Sequence, residues 1–139
     1  MKRHKLFLVI ILFVIVNNVL SQSNNVKNKL DSLWNIWIDI KNPDTVRLQA
    51  IDDYIWIGYL FSQPDSAYYF AQLHNDFAKR HNHKKFEAIS YNNQGISLSI
   101  RGDFLKSIDT YKKSLDIYTK LKDIKGEAGA MVSVICNNG

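Results

Sequence analysis

The strongest constraint on this chain is a helix–turn–helix pattern over residues 88–121, which also stands, more worn, 40 residues earlier. Tyr91, Gln94, Gly95 and Leu98 share one helix face, Arg101-Gly102-Asp103-Phe104 breaks the helix, and Ser107, Tyr111 and Leu115 resume it at helical spacing. A glycine inside a helix costs about 1 kcal/mol relative to alanine, so Gly95 predicts the close approach of a second helix that a side chain would block. Gly102 stands where a left-handed residue closes a helix cheaply, and Asp103 follows as an N-cap for the next. Phe104, Ile108, Tyr111, Leu115 and Tyr118 then make one apolar stripe at steps of three and four. This spacing predicts two antiparallel helices joined by a tight turn.

In the earlier copy, Ile51, Tyr54, Ile55 and Gly58 give a helix face running from about Thr45 to Phe61. Ser62-Gln63-Pro64-Asp65 is the break, with Pro64 suited to a first helical turn. Ala67, Ala71 and Phe77 carry the second helix towards Arg80, Ala67 taking the place of Ser107 and Ala71 that of Tyr111. Forward from Ala88, the same 40-residue step lands on Ala128. A third first-helix is expected to begin there, bearing Met131, Val132, Val134 and Ile135. With no second helix to cover it, this segment is expected to fray, to associate end to end with another copy through residues 128–139, or to await a partner that completes the repeat.

The layout resembles the tetratricopeptide repeat, W-x2-L-G-x2-Y…A-x3-F. Tyr91 stands for Trp, Gln94 for Leu, Leu98 for Tyr and Ser107 for Ala, with Gly95, Gly102 and Tyr111 at the remaining structural positions. The 40-residue period exceeds the family's usual period of about 34, and the extra residues fall at 79–86 and 120–126. The resemblance implies an all-α antiparallel helix-hairpin solenoid wound as a right-handed superhelix. Residues 44–87 would be a degenerate repeat, 88–127 a repeat, and 128–139 the first helix of an incomplete third.

The resemblance also implies that the first helix of each repeat lines a concave, peptide-binding groove. Carried over by alignment, its inward positions are Asp52, Asp53, Trp56 and Tyr59, then Asn92, Asn93, Ile96 and Ser99. Amides there suit the backbone of an extended peptide and rings suit its side chains. The lysines and arginines of the family's carboxylate clamps are absent from these positions. Asp44-Thr45-Val46-Arg47, Pro64-Asp65-Ser66-Ala67-Tyr68-Tyr69 and Asn92-Asn93-Gln94-Gly95 resemble, more narrowly, the extracytoplasmic sensor region of bacterial signalling proteins of the histidine kinase, regulator or cyclase type. That resemblance implies a sensory or scaffolding role, or a truncated fragment of a larger sensor without activity of its own.

The N-terminus is a different kind of segment. Lys2, Arg3 and Lys5 precede the apolar run Leu6–Val16, too short for a bilayer span of about 20 residues. Val19 and Ser21 then suit cleavage before Gln22, so residues 1–21 read as a signal peptide and the protein as secreted or periplasmic. Retained, the segment would be a membrane anchor. It holds three of the 18 Lys and Arg residues, leaving 15 against 13 acidic ones, so the basic balance is mostly a targeting feature. The remaining lysines are spread among aspartates, which leaves no footprint for nucleic acid. In residues 22–43, Val26, Leu30, Leu33, Trp34, Trp37 and Ile40 follow helical spacing and predict a capping helix over the first repeat rather than an aromatic cage. Asp44 is the expected cap of the helix that follows.

The sequence offers no catalytic or cofactor-binding constellation. Asp52 and Asp53 are helix neighbours whose side chains diverge. His81 and His83, with His74 nearby, stand among Lys79, Arg80, Lys84 and Lys85, without an evident carboxylate partner and hence without a metal site. Arg101-Gly102-Asp103 is explained by the turn it makes. Cys136 is the only cysteine, so no internal disulfide is available. The expectation is a non-enzymatic module whose partner is a protein or an extended peptide.

Overall fold

The computed structural model describes residues 22–137, all of whose regular elements are α-helices. They are α1 (22–38), α2 (Asp44–Gly58), α3 (Pro64–Arg80), α4 (Lys84–Ile100), α5 (Phe104–Leu121) and α6 (Ile124–Asn137). The proposed signal peptide lies outside the described residues, as do 138 and 139. Among the described residues no helix is long and apolar enough to cross a membrane. Consecutive helices pack together, α3 between α2 and α4 and α5 between α4 and α6, while α2 also touches α4. Helices α2, α4 and α6 thus form one layer and α3 and α5 the other, a helical-repeat arrangement.

Successive turns repeat one design. Asn82, Gly102 and Lys122, at intervals of 20 residues, have left-handed φ of 58°, 83° and 57°. Beside each, the next residue's N–H returns to a carbonyl five residues back: His83 to Ala78, Asp103 to Leu98 and Asp123 to Tyr118, at 2.8, 2.9 and 3.0 Å. This is the six-to-one bond of a Schellman ending, which satisfies carbonyls that a helix terminus leaves bare. The carbonyls of His83, Asp103 and Asp123 then accept from Glu87, Ser107 and Glu127 to start the next helix. Stop and start are therefore one compact unit, and α6 begins at Ile124 rather than at the expected Ala128. Helix α4 likewise begins before Ala88, at Lys84.

Two expected caps are corrected. Asp103 is the N-cap of α5 but makes no capping bond; its carboxylate lies 3.4 Å from Arg101, which also reaches Asp65 at 3.2 Å. Asp44 is the first residue of α2, Pro43 holds the cap position, and the aspartate turns to His81 and Arg47 instead. Both carboxylates face a nearby cationic or imidazole group, which competes with the backbone N–H groups for them.

Packing across the two hairpins uses opposite solutions. In the first, α2 brings the large Leu48, Ile51 and Ile55 and α3 the small Ala67, Ala71 and Ala78, all buried in one core with Trp37, Leu60 and Phe77. In the second, α4 brings Ala88 and Gly95, and α5 brings Tyr111 and Tyr118. A Cβ on Gly95 would lie 2.6 Å from Tyr111 Cε1, so the glycine makes room for a ring. Ser107 and Ser114 donate hydroxyl bonds to the Gly95 and Ala88 carbonyls, each at 2.8 Å. Gly126 of α6 repeats the device, leaving room for the Tyr118 ring that a Cβ would strike.

Helix α1 packs on the first hairpin. Leu30 abuts Gly58, Trp37 meets Phe77 edge-on at 5.0 Å, and Trp34 meets Tyr54 at 5.3 Å and Phe70 at 5.9 Å. Trp37 is buried in the core, Trp34 packs against it partly buried, and Ile40 lies beyond the helix, 83% exposed. At the other end α6 exposes Met131, Val132 and Ile135. His74 is fully buried on α3, with neither ring nitrogen hydrogen-bonded. Burial lowers its pKa to about 3, so it is held neutral and opposes folding as acid protonates it in the unfolded chain.

Gly95→Leu is expected to destabilise the fold by about 1–3 kcal/mol through overpacking, and Tyr111→Ala in the same chain to recover part of the loss. Thermal melts showing an unchanged or raised midpoint for the single variant would reject the ring-over-glycine contact. Lys122→Gly is expected to stabilise by about 0.5–1 kcal/mol, because a left-handed lysine carries a Cβ clash that glycine lacks. Urea titration of that variant checks it, with no change in midpoint the contrary result.

Candidate functional site

The layer formed by α2, α4 and α6 carries most of the positions assigned to the groove, and their side chains are already linked across helices. Asn93, 1% exposed, donates through Nδ2 to Asp52 Oδ1 at 2.6 Å and accepts from Trp56 Nε1 through Oδ1 at 3.0 Å. One amide on α4 thereby fixes an acid and an indole that stand one turn apart on α2. The Trp56 ring remains 43% exposed and meets Phe61, from the α2–α3 turn, edge-on at 6.1 Å. On the next seam Ser99 donates to Asn137 Oδ1 of α6 at 2.6 Å, and Asn137 Nδ2 bonds back to the Ser133 carbonyl at 2.9 Å.

The other positions divide between the surface and the core. Asp53 stands on the α1 side of α2, where Gln49 donates to it at 3.0 Å. It lines a shallow groove of about 320 Å³ with Leu33, Val46 and Ala50. Asp52 faces the α4 side instead, so the two neighbouring acids do diverge. Ile96 packs against the first core, and the Asn92 side-chain oxygen is buried without a hydrogen-bond partner. Tyr59 does not join this face. Helix α2 ends at Gly58, so its stripe stops before Tyr59. That ring packs with Tyr54 and Phe70 at 5.0 and 4.9 Å, its hydroxyl 2.9 Å from that of Tyr54.

Electrostatics single out Asp52. Burial raises its pKa from 3.8 to about 6; the Asn93 hydrogen bond opposes the rise and the charge of Asp53 adds to it. Its field extends to the end of α5, where the Tyr118 hydroxyl is pushed up to about 12 by burial, then by Asp123 and Asp52. No lysine, arginine or histidine among the described residues forms an ion pair with Asp52.

A second polar cluster lies at the opposite end of α2. Asp44 Oδ2 is 2.7 Å from His81 Nδ1 and 3.6 Å from His83 Nε2, and the His81 ring stacks on Phe77 at 4.0 Å. The histidine pair therefore has a carboxylate partner, against the sequence expectation. It comes from 37 residues away, which no local spacing reveals. Even so, no group of three or more His, Cys, Asp or Glu among the described residues is arranged to hold a metal ion. Comparison with known proteins found no match, either to a family model or among the curated proteins and the solved structures.

The raised pKa of Asp52 has a stability consequence. The folded protein binds this proton more tightly than the unfolded chain, so stability falls as pH rises from 3.8 to about 6, and the cost stays in full above that window. Asp52→Asn keeps an acceptor for Asn93 and removes the charge. It is expected to stabilise by about 1–2 kcal/mol near neutral pH, with the difference vanishing at about pH 4. His74 is common to both proteins and cancels in the comparison. Melts at the two pH values check this, and an equal difference at both would place the effect outside the carboxyl titration.

Proposed function

We propose that the chain is an exported, non-catalytic repeat module of the tetratricopeptide kind, acting as the sensory or scaffolding part of a signalling system. It holds a protein or an extended peptide across the α2–α4–α6 face. The observation that carries this reading is Trp56, an indole pinned through its N–H to Asn93 yet 43% exposed. A large apolar ring fixed in place and left open loses little conformational entropy when covered, the character of an interface anchor. Asp52 and Ser99 flank it on the same layer, and Phe61, 70% exposed, extends the apolar surface at the turn. Binding along such a face needs no moving part and no reacting group, which fits the non-catalytic role.

Panning a phage-displayed random peptide library against the full chain tests the proposal. Selected peptides are expected to bind with an affinity that Trp56→Ala lowers about tenfold or more. Tyr69→Ala, at an exposed ring on α3 in the other layer, should leave binding unchanged. Failure to select any peptide, or selected peptides indifferent to Trp56→Ala, would overturn it.

A further inference from the structure

Hydrogen-bond partners on the α2–α4–α6 face are distributed unevenly. Three of its donors are engaged within the protein: the Trp56 N–H by Asn93, one Asn93 N–H by Asp52, the Ser99 hydroxyl by Asn137. Acceptors remain. Asp52 takes its one side-chain bond through Oδ1, leaving Oδ2, and Asp53 likewise takes Gln49 through Oδ1.

Charge follows the same division. Three other sheltered acids hold a basic partner at close range: Asp44 with His81 at 2.7 Å, Glu87 with Lys84 at 2.8 Å and Asp123 with Lys85 at 2.8 Å. Asp52 is as sheltered and holds no basic partner among the described residues. One turn further along α2 lies the open Trp56 ring, whose π-face attracts a cation. A carboxylate oxygen and an aromatic face, held at fixed separation by the same Asn93, make a receptor for a group that is positively charged, rich in donors and carried on an apolar stem.

We propose that the occupant of this face presents a basic side chain, the ammonium of lysine or the guanidinium of arginine in an extended peptide, to Asp52 and the Trp56 ring. This rests on the peptide-binding reading above and adds the chemical class of the ligand. Asp52 takes the charge, Trp56 covers the methylene stem and Asp53 sets the surrounding negative potential. The polar contacts among Asp52, Asn93 and Trp56 hold the receptor in shape before the ligand arrives.

The test uses the full chain and the same displayed library, with counter-panning on Asp52→Asn. Asp109→Asn, which changes the net charge equally at an exposed site on α5, serves as control, and circular dichroism establishes that each variant is folded. The expected result is enrichment of lysine or arginine at one position of the selected peptides. Affinity should fall about tenfold for Asp52→Asn, remain unchanged for Asp109→Asn, and fall when the basic residue of the peptide is replaced by glutamine. Selected peptides without a basic preference, or a basic preference that Asp52→Asn leaves intact, would overturn this inference and leave peptide binding standing. Failure to select any peptide would overturn both. Should Asp52→Asn not fold, the glutamine-substituted peptides on the unaltered chain decide the matter, equal affinity rejecting the inference.

Discussion

Contact at backbone distance between paired helices is the condition on which the rest of this molecule depends. Helices usually pack with axes 8–10 Å apart, the gap filled by side chains on both sides. Between α4 and α5 the filling comes largely from one side, and Ser107 and Ser114 bond the facing main chain. Across the preceding seam Asn75 donates to Ser90 at 2.7 Å and Gln94 to the Ala71 carbonyl at 3.3 Å, while Ser90 bonds the Glu87 carbonyl of its own helix at 2.7 Å. A hydroxyl or amide that reaches a neighbouring helix fixes rotation and translation together, whereas a greasy contact leaves some sliding. Those bonds set the register between α3 and α4, while α2 is held by its apolar packing on α3 and by the Asn93 bonds to Asp52 and Trp56.

The two hairpins are packed with different materials, and α4 and α5 lie along one another more closely than α2 and α3 do. The first is oily: Leu48, Ile51, Ile55, Leu60 and Phe77 form its centre, with the indoles of α1 over its open side. The second buries Ser90, Ser97, Ser107 and Ser114 with no exposed surface at all. Apolar burial stabilises by area and tolerates substitutions of similar volume, whereas a buried hydroxyl stabilises only while its partner is in place. The first hairpin can therefore drift in sequence more freely than the second. This agrees with the repeat pattern being clear over 88–121 and worn before it.

Much of the architecture was legible because it is local. Helical spacing, the break at Gly102, the proline opening α3 and the need for space at Gly95 are properties of a few consecutive residues. What escaped was set by pairings across the fold. Asp44 could not be matched to His81 and His83 by spacing, since two helices intervene. Asp103 carries a good capping side chain but stands beside Arg101, and the ion pair won. Tyr59 reads as one more step of the α2 stripe only if the helix continues, and it ends one residue too soon. Lys122 gave no sign of its left-handed backbone, because lysine ordinarily avoids it; only its distance from Gly102 would have hinted. Alignment put most of the groove positions on one layer, but it did not show that Asn93 holds both Asp52 and Trp56.

The turns at Asn82, Gly102 and Lys122 recur every 20 residues, half the period of the repeat, and this gives the fold a parity. Each turn sends the chain from one layer to the other, so a helix belongs to the α2–α4–α6 face or to its back according to whether an odd or an even number of turns precedes it. Gaining or losing a single helix with its turn would transpose every later helix, turning residues fitted for the face outward and bringing the tyrosine-bearing helices inward. Such a chain could keep its turns and helix lengths and still lose the surface. Lineages of this protein can lengthen or shorten without forfeiting that surface only in pairs of helices.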